Sequence, residues 1–129
     1  MDISGLNLLL VEDNELNAEI AKTLLSDEGA NLTVAEDGLQ AIRMFQEKPE
    51  GYFDAILMDI MMPVMDGITA TKTIRSLKHP DAETTPIIAM TANAFREDKE
   101  KCLAAGMNAH LAKPIKIENV KRILCEYCV

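Results

Sequence analysis

Basic residues are scarce in this sequence, and that scarcity excludes one broad class of partner. The chain has 13 lysines and arginines against 21 aspartates and glutamates, which gives a formal net charge of -8 at pH 7. Nucleic-acid binders rely on a basic surface that neutralises phosphates, so we expect no direct nucleic-acid binding. A basic protein surface or a small cation suits the charge of this chain better.

Long apolar runs and paired cysteines are lacking as well. No run is long and apolar enough to cross a bilayer and no secretory leader is visible, so we expect a soluble, cytoplasmic chain without membrane insertion. The three cysteines, Cys102, Cys125 and Cys128, are an odd number, and Cys125 and Cys128 have no second pair with which to form a zinc site. We therefore expect reduced thiols, as is usual in the cytosol.

What the sequence does contain is an ordinary globular composition. Its 129 residues are 48% hydrophobic and 26% charged, which fits one domain, residues 1–129, with a full core. Five short apolar runs alternate with five amphipathic patterns, and this alternation favours a parallel sheet with helices on both faces. We predict a single doubly wound (βα)5 domain of the α/β class, with strand order 2-1-3-4-5.

Individual elements are predicted from apolar runs, periodicity and capping residues. Strands are expected at residues 7–11, 31–35, 54–58, from 86 onward and at 109–112. The buried face of the first helix is predicted to consist of Leu16, Ile20, Ala21, Leu24 and Leu25. Asp66 is a candidate cap for the third helix. The fourth helix, residues 93–105, has only Phe95 and Leu103 as large apolar residues, so we expect it to shift at low cost.

Chemically useful side chains stand directly after four of the apolar runs. Glu12 and Asp13 follow the first run, Asp59 the third, Thr91 the fourth and Lys113 the fifth. The carboxyl ends of neighbouring parallel strands meet at one edge of a sheet, and ligands of open α/β sheets bind there. We therefore expect these side chains to converge on one site.

The carboxylates of this set indicate a magnesium site and phosphoryl chemistry. Glu12, Asp13 and Asp59 would repel one another unless a cation lay between them, and hard oxygen ligands suit Mg²⁺. The backbone carbonyl of Met61 would supply a further oxygen. A carboxylate such as Asp59 can attack phosphorus to form an aspartyl phosphate, while Mg²⁺ and Lys113 neutralise the phosphoryl oxygens.

Five stretches, taken in order and with their spacing, resemble response-regulator receiver domains over essentially the whole chain. They are LLVEDN (9–14), LMDIMMP (57–63), MDG (65–67), AMTA (89–92) and AGMNAHLAKP (105–114). Each stretch alone is a weak signal, but the full set is highly specific.

The resemblance implies a role for each residue at the strand ends. Asp59 would be the phosphoacceptor. Glu12 and Asp13 would be the acid pair that binds Mg²⁺, Glu12 through a water molecule. Thr91 would be the switch hydroxyl and Lys113 the phosphate-facing lysine.

The resemblance also carries expectations about the conformational switch. The peptide bond between Lys113 and Pro114 is typically cis in this family. An aromatic residue of the fifth strand usually follows the switch hydroxyl, and that position is His110 here. His110 is therefore either a switch residue or a partly buried strand histidine without that role. The output is expected on the face formed by the fourth helix, the fifth strand and the fifth helix.

Two positions are predicted to set the lifetime of the phosphorylated form. Met61 lies two residues after Asp59, and Asn93 lies two residues after Thr91, so both should border the path of an attacking water. An apolar Met61 would screen the phosphoryl group, and Met61→Asn should alter the rate of dephosphorylation.

The stretches around Glu12 and Thr91 look most like receivers of hybrid sensor histidine kinases. They imply a histidine kinase or a histidine phosphotransfer domain as phosphodonor, a downstream protein partner, and a monomer or a phosphorylation-dependent dimer. The chain would be a free-standing receiver or part of such a kinase, on the cytoplasmic side of the membrane. It would accept a phosphoryl group rather than turn over a substrate as an enzyme.

Three other classes remain as alternatives. A phosphatase of the haloacid-dehalogenase type needs a second acid two residues after its nucleophile, where this chain has Met61. A flavin carrier of the same fold needs a phosphate-binding loop after the first strand, where residues 12–15 (EDNE) would repel phosphate. The third alternative is a receiver-like interaction module that is never phosphorylated.

Overall fold

Strands and helices alternate along the chain as the sequence predicts. The computed structural model describes residues 3–62, 64–91, 96–113 and 115–128. Its elements in chain order are β1 (Asn7–Val11), α1 (Glu15–Ser26), β2 (Asn31–Ala35), α2 (Gly38–Glu47), β3 (Ala55–Asp59), α3 (Gly67–Arg75), β4 (Ile87–Thr91), α4 (Arg96–Ala105), β5 (Ala109–Ala112) and α5 (Ile117–Cys128). Within these described ranges, no helix is both long and apolar enough to cross a membrane.

The five strands form one parallel sheet of order β2-β1-β3-β4-β5, which confirms the predicted doubly wound topology. Strand β3 lies one residue later than predicted, and β4 begins at Ile87 rather than at Pro86. Asp59 and Thr91 are therefore the last residues of their strands, in register with Met90 and Ala112, and not the first residues of loops. A ladder position fixes a side chain more firmly than a loop does.

The core consists of two layers, one on each face of the sheet. Alternate residues of a strand point to opposite faces, so Leu9 and Ile56 pack toward α2 and α3, while Leu8 and Leu57 pack toward α1 and α5. All five residues of β3 are buried, as expected for a central strand that is covered on both sides.

Side-chain caps start the first three helices, of which α1 and α2 follow their strands within a few residues and α3 follows a longer loop. The side-chain oxygens of Asn14, Asp37 and Asp66 accept hydrogen bonds of 2.9, 2.8 and 2.7 Å from backbone N–H groups at the starts of α1, α2 and α3. The cap by Asp66 confirms the sequence prediction, whereas Asn14 was not predicted as a cap. Such caps stabilise a helix by about 1 kcal/mol and hold the first turn beside the strand end.

The predicted buried face of α1 is partly wrong. Ala18, Ala21 and Leu25 are buried, whereas Leu16 is 69% exposed and Ile20 is 50% exposed. The two alanines let the helix backbone approach the sheet closely, so the helix turns its small residues inward. Periodicity alone favours the larger side chains and therefore selects a face that is rotated away from the true one.

The apolar anchors of α4 also differ from the prediction. Leu103 is 53% exposed, and the helix is held at its C-terminal end by the buried Cys102 and Ala105. Phe95, the other predicted anchor, lies outside the described residues, as do 93 and 94 at the predicted start of this helix.

Candidate functional site

The predicted acidic residues come together at the carboxyl edge of the sheet. Glu12 follows β1 directly, and its N–H donates to the carbonyl of Ala35 in β2 (3.0 Å), so it is fixed by the sheet. Strands β1 and β3 pair up to Val11 and Met58, which places the following residues, Glu12 and Asp59, side by side. One carboxylate oxygen each from Glu12, Asp13 and Asp59 lie within 4.8 Å of one another.

Burial separates the three carboxylates into two kinds. Glu12 is 4% exposed and Asp59 is 2% exposed, while Asp13 faces solvent. Backbone amides orient the two buried groups: the N–H of Asn14 donates to Glu12 Oε1 and the N–H of Met61 donates to Asp59 Oδ1, both at 3.2 Å. The sequence indicated neither contact.

Lys113 lies between the two buried carboxylates. Its Nζ is 3.0 Å from Glu12 Oε2 and 3.0 Å from Asp59 Oδ2. Its backbone N–H donates to the carbonyl of Thr91 (2.8 Å), so the lysine is held against the end of β4. One ammonium against three carboxylates leaves an excess of negative charge, which favours a further cation at this edge.

The electrostatics of Asp59 follow from this environment. Burial raises the pKa of Asp59 from its ordinary 3.8 to about 6; the negative charge of Glu12 adds to that rise, while the hydrogen bonds from Lys113 and Met61 oppose it. For Lys113, burial disfavours the charged form, but hydrogen bonds to Asp59 and Glu12 outweigh it and raise its pKa. The site therefore keeps its lysine charged and holds a carboxylate that favours added positive charge.

The predicted switch residues lie on the next two strands. Thr91 is buried at the end of β4, one residue beyond the partner of Asp59 in the ladder. His110 is half-buried in β5 opposite Ala89. Because Leu111 packs into the layer beneath α1 and α5, the alternation of the strand places His110 on the other face. Pro114 and Asn93 lie outside the described residues, so the cis peptide and the role of Asn93 stay predictions.

A glycine that sequence reasoning passed over lies directly behind Asp59. A Cβ on Gly67 would come within 2.2 Å of the backbone oxygen of Asp59, closer than any real contact. The N–H of Gly67 donates to the carbonyl of Ile60 (3.0 Å), so α3 begins against the backbone of the site. The MDG stretch carried this signal, but only the folded chain shows what the glycine avoids.

The donor set suits a hard divalent cation. Three carboxylates within reach of a single ion, two of them buried, are the ligands that Mg²⁺ takes in proteins, with water completing its shell. Met61 has a side chain that is 77% exposed beside this set, so its backbone lies at the rim of the site. The carbonyl of Met61 as a further ligand stays a prediction.

A cavity of about 290 Å³ adjoins the site on the side of α1. Glu12 and Lys113 form its polar end, and Ile20, Met90 and Ile115 contribute to its apolar walls. The cavity thus joins the charged site to the half-exposed Ile20 of α1.

Known proteins share this sequence and fold. The profile of the response regulator receiver domain family matches residues 8–124. Among curated proteins, the signal transduction histidine-protein kinase BarA of Escherichia coli is 41% identical over 123 residues, which cover 95% of this chain and 13% of BarA. The osmosensing histidine protein kinase SLN1 of Saccharomyces cerevisiae is 41% identical over 129 residues, which cover 97% of this chain and 10% of SLN1. The chain thus spans a small part of these relatives.

Solved structures agree with this assignment. The receiver domain of the sensor histidine kinase PA1611 from Pseudomonas aeruginosa, with a magnesium ion coordinated in its active site cleft, superposes with a TM-score of 0.86 at 43% identity and covers 97% of this chain and 98% of that one. The receiver domain of Ssk1 from S. cerevisiae, crystallised with the histidine phosphotransfer protein Ypd1, gives 0.82 at 30% identity, with 95% and 88% covered. The chain belongs to the family of response-regulator receiver domains.

Proposed function

We propose that this chain takes a phosphoryl group from a phosphohistidine onto Asp59, as the phosphoacceptor of a two-component phosphorelay. The observation that carries the proposal is the position of Asp59: a buried carboxylate at the end of a central strand, 3.0 Å from Lys113 and within 4.8 Å of Glu12 and Asp13. A nucleophile, a fixed cation and a metal-binding acid pair are the parts that phosphoryl transfer needs.

Each residue has a distinct part in the proposed transfer. An oxygen of Asp59 attacks phosphorus, the bond from phosphorus to the donor histidine nitrogen breaks, and its electron pair stays on the imidazole. Lys113 holds a positive charge against the phosphoryl oxygens throughout. Mg²⁺ bound by Glu12, Asp13 and Asp59 would supply further charge neutralisation. The Thr91 hydroxyl then binds the phosphorylated Asp59 and starts the switch.

Acetyl phosphate with Mg²⁺ tests the assignment of Asp59. Intact-mass analysis should show a single added phosphoryl group on the wild type and none on Asp59→Asn. Asp54→Asn is a matched control, because Asp54 precedes the same strand at the opposite edge, where its Oδ2 accepts a backbone bond from Asn7 (2.8 Å) that an amide oxygen can keep. Equal labelling of Asp59→Asn would refute the assignment, and a wild type that is never labelled would favour the unphosphorylated interaction module.

The phosphodonor is proposed to dock on α1. Leu16 and Ile20 form an exposed apolar patch beside the site, flanked by the exposed Glu15 and Glu19. This arrangement fits a partner that brings an apolar surface with basic residues around its phosphohistidine. The Ssk1 receiver was crystallised with the histidine phosphotransfer protein Ypd1. A histidine kinase or a histidine phosphotransfer domain is therefore the proposed donor.

Separating docking from chemistry tests this partner. Ile20→Asp should slow phosphoryl transfer from phosphorylated Ypd1 while leaving labelling by acetyl phosphate unchanged, because the small donor needs no protein surface. Leu39→Asp is the control, since Leu39 is a similarly exposed apolar residue on α2, across the sheet. If phosphoryl transfer to Ile20→Asp is as fast as transfer to the control, α1 is not part of the docking surface.

The face formed by α4, β5 and α5 is the proposed binding surface for the downstream partner. Leu103 of α4 and Tyr127 of α5 are both exposed there, which suits a downstream protein partner or a second copy of the chain. Light scattering before and after phosphorylation decides between a monomer and a phosphorylation-dependent dimer.

A further inference from the structure

Arg75, the last residue of α3, uses all its donors at the edge of the sheet opposite the acidic site. It makes five hydrogen bonds from its five N–H groups. Its Nε and Nη2 donate to the carbonyl of Gly106 (3.0 and 2.8 Å), Nη2 also to Asn108 Oδ1 (2.9 Å), and Nη1 to the carbonyls of Ala82 (3.1 Å) and Thr85 (2.8 Å). One side chain thus joins the end of α3, the connection that precedes β4 and the connection that follows α4.

This guanidinium connects three segments through hydrogen bonds to neutral oxygens rather than through an ion pair. The five bonds end on four acceptor oxygens, all of them neutral, and burial lowers the pKa of Arg75. Its stem lies against Gly106, which has a φ of +108° and where a Cβ would come within 2.9 Å of Arg75 Cγ. The C-terminal end of α4 therefore packs directly on the side chain of Arg75, and the planar guanidinium holds this end of the helix in one orientation.

Asn108 connects the same group of hydrogen bonds to β4 and α5. Its Oδ1 also accepts from the N–H of Ile87 (2.9 Å), its own N–H donates to the carbonyl of Ile87 (2.8 Å), and its carbonyl accepts from the hydroxyl of Tyr127 (3.0 Å). Ile87 is the first residue of β4, and Thr91 is the last. We call Arg75, Gly106 and Asn108 the basal clamp.

Of the elements that run from the basal clamp toward Thr91, β5 and the described part of α4 are less buried than β4, whose five residues are all buried. Strand β5 has only four residues, and of the α4 side chains described, from 100 to 105, only Cys102 and Ala105 are buried. A segment fixed at one end and thinly packed along its length responds most at its other end.

We propose that the basal clamp is the fixed end of the conformational switch: phosphorylation of Asp59 changes the ends of β4, α4 and β5 nearest Thr91, and the change stops at Gly106 and Asn108. This inference rests on the proposed function. The clamp lies at the opposite edge of the sheet, so it positions the switching elements without taking part in the chemistry.

Amide hydrogen exchange, with phosphorylation followed separately by intact mass, tests the clamp. The reporters are the N–H groups of Gly106, Met107 and Asn108, which donate to Leu103, Cys102 and Ile87. In the wild type, acetyl phosphate with Mg²⁺ should change exchange around Thr91 and leave these three amides unchanged. In Arg75→Met the phosphorylation-dependent change should extend to them, with exchange about tenfold faster.

Two further variants keep the result interpretable. Arg43→Met removes an exposed arginine of α2 and should behave like the wild type. Arg75→Lys keeps the charge without the planar guanidinium, and its phosphorylation-dependent change in exchange should fall between those of the wild type and Arg75→Met.

Should Arg75→Met fail to fold, the wild type alone decides: a phosphorylation-dependent change at Gly106 to Asn108 as large as that near Thr91 overturns the clamp. Absence of any phosphoryl adduct instead refutes the proposed function, and with it the switch that the clamp would anchor.

Discussion

At the scale of single residues, the site holds carboxylates in a buried position, although charged groups are more stable in water. Asp59 is a buried carboxylate beside a second buried carboxylate, with one lysine shared between them. Gly67 leaves a space behind Asp59 that no other residue type could leave. A substitution at Asp59 can remove a charge that burial disfavours, whereas a side chain at Gly67 would press on the backbone of Asp59, so the two should act in opposite directions on the free energy of unfolding.

Asp59→Asn should stabilise the metal-free chain at neutral pH. The pKa of Asp59 in the folded chain, about 6, exceeds its ordinary value of 3.8, so the folded state binds more protons between these values. The contribution of Asp59 to the free energy of unfolding is therefore fully present below pH 4, where the carboxyl is protonated, and is lost as the pH rises through 6. The variant should gain up to about 3 kcal/mol at pH 7 in the presence of a chelator and much less at pH 4, measured by urea unfolding. A variant less stable than the wild type at pH 7 contradicts this account.

Gly67→Ala should destabilise the chain and slow its phosphorylation together. The added methyl would press on the backbone of Asp59, which cannot move without disturbing the β3 ladder, and such overpacking costs about 1–3 kcal/mol or more. Thermal unfolding and acetyl phosphate labelling measure the two effects. Thr69→Ala, at an exposed position of the same helix, should change stability by less than about 0.5 kcal/mol.

At the scale of elements, α1 shows how one helix serves both the core and the surface. Its small inward face of Ala18 and Ala21 brings it close to the sheet, and its large apolar residues Leu16 and Ile20 lie outside beside the site. Helix α4 follows the same logic, with Cys102 inward and Leu103 outward. Apolar surface on these two helices is therefore available to partners.

Substitutions on the two faces of α1 should have very different effects on stability. Leu25→Ala removes a fully buried side chain and should lower the free energy of unfolding by about 2–5 kcal/mol. Leu16→Lys, on the exposed face, should change it by no more than about 0.5 kcal/mol. Urea unfolding of the two variants measures the difference. Comparable losses would mean that the helix is rotated relative to the face described here.

At the scale of the whole molecule, the chain has a formal net charge of -8, and one edge of its sheet holds three carboxylates close together. A divalent cation that binds only the folded chain should therefore stabilise the entire domain. At 100 times its dissociation constant, Mg²⁺ should raise the free energy of unfolding by about 2.7 kcal/mol.

Asp13→Asn should abolish most of the stabilisation by Mg²⁺. Asp13 is exposed, so the variant should unfold like the wild type when a chelator is present, and only the response to the metal should be lost. Thermal unfolding across a series of Mg²⁺ concentrations provides the measurement, with Asp27→Asn as an exposed acidic control on the far end of α1. A full Mg²⁺ response in Asp13→Asn would exclude this residue from the metal site.

Much of the fold could be predicted because local signals and global topology agree. The central strand 55–59 is apolar on both faces, which only a sheet covered by helices can bury, and alternating strands and helices leave few possible topologies. Strand ends then place Glu12, Asp13, Asp59 and Lys113 at one edge. The sequence by itself therefore determined the class of the fold and which of these side chains converge at one edge of the sheet.

The tertiary structure decided which surfaces these elements present. No local pattern shows that Leu16 is exposed, that one lysine contacts both Glu12 and Asp59, or that Arg75 reaches Gly106 and Asn108, more than 30 residues away. Such facts depend on distances between segments that only packing fixes. Periodicity reports the size and spacing of side chains, whereas the closeness of two packed elements depends on both partners at once.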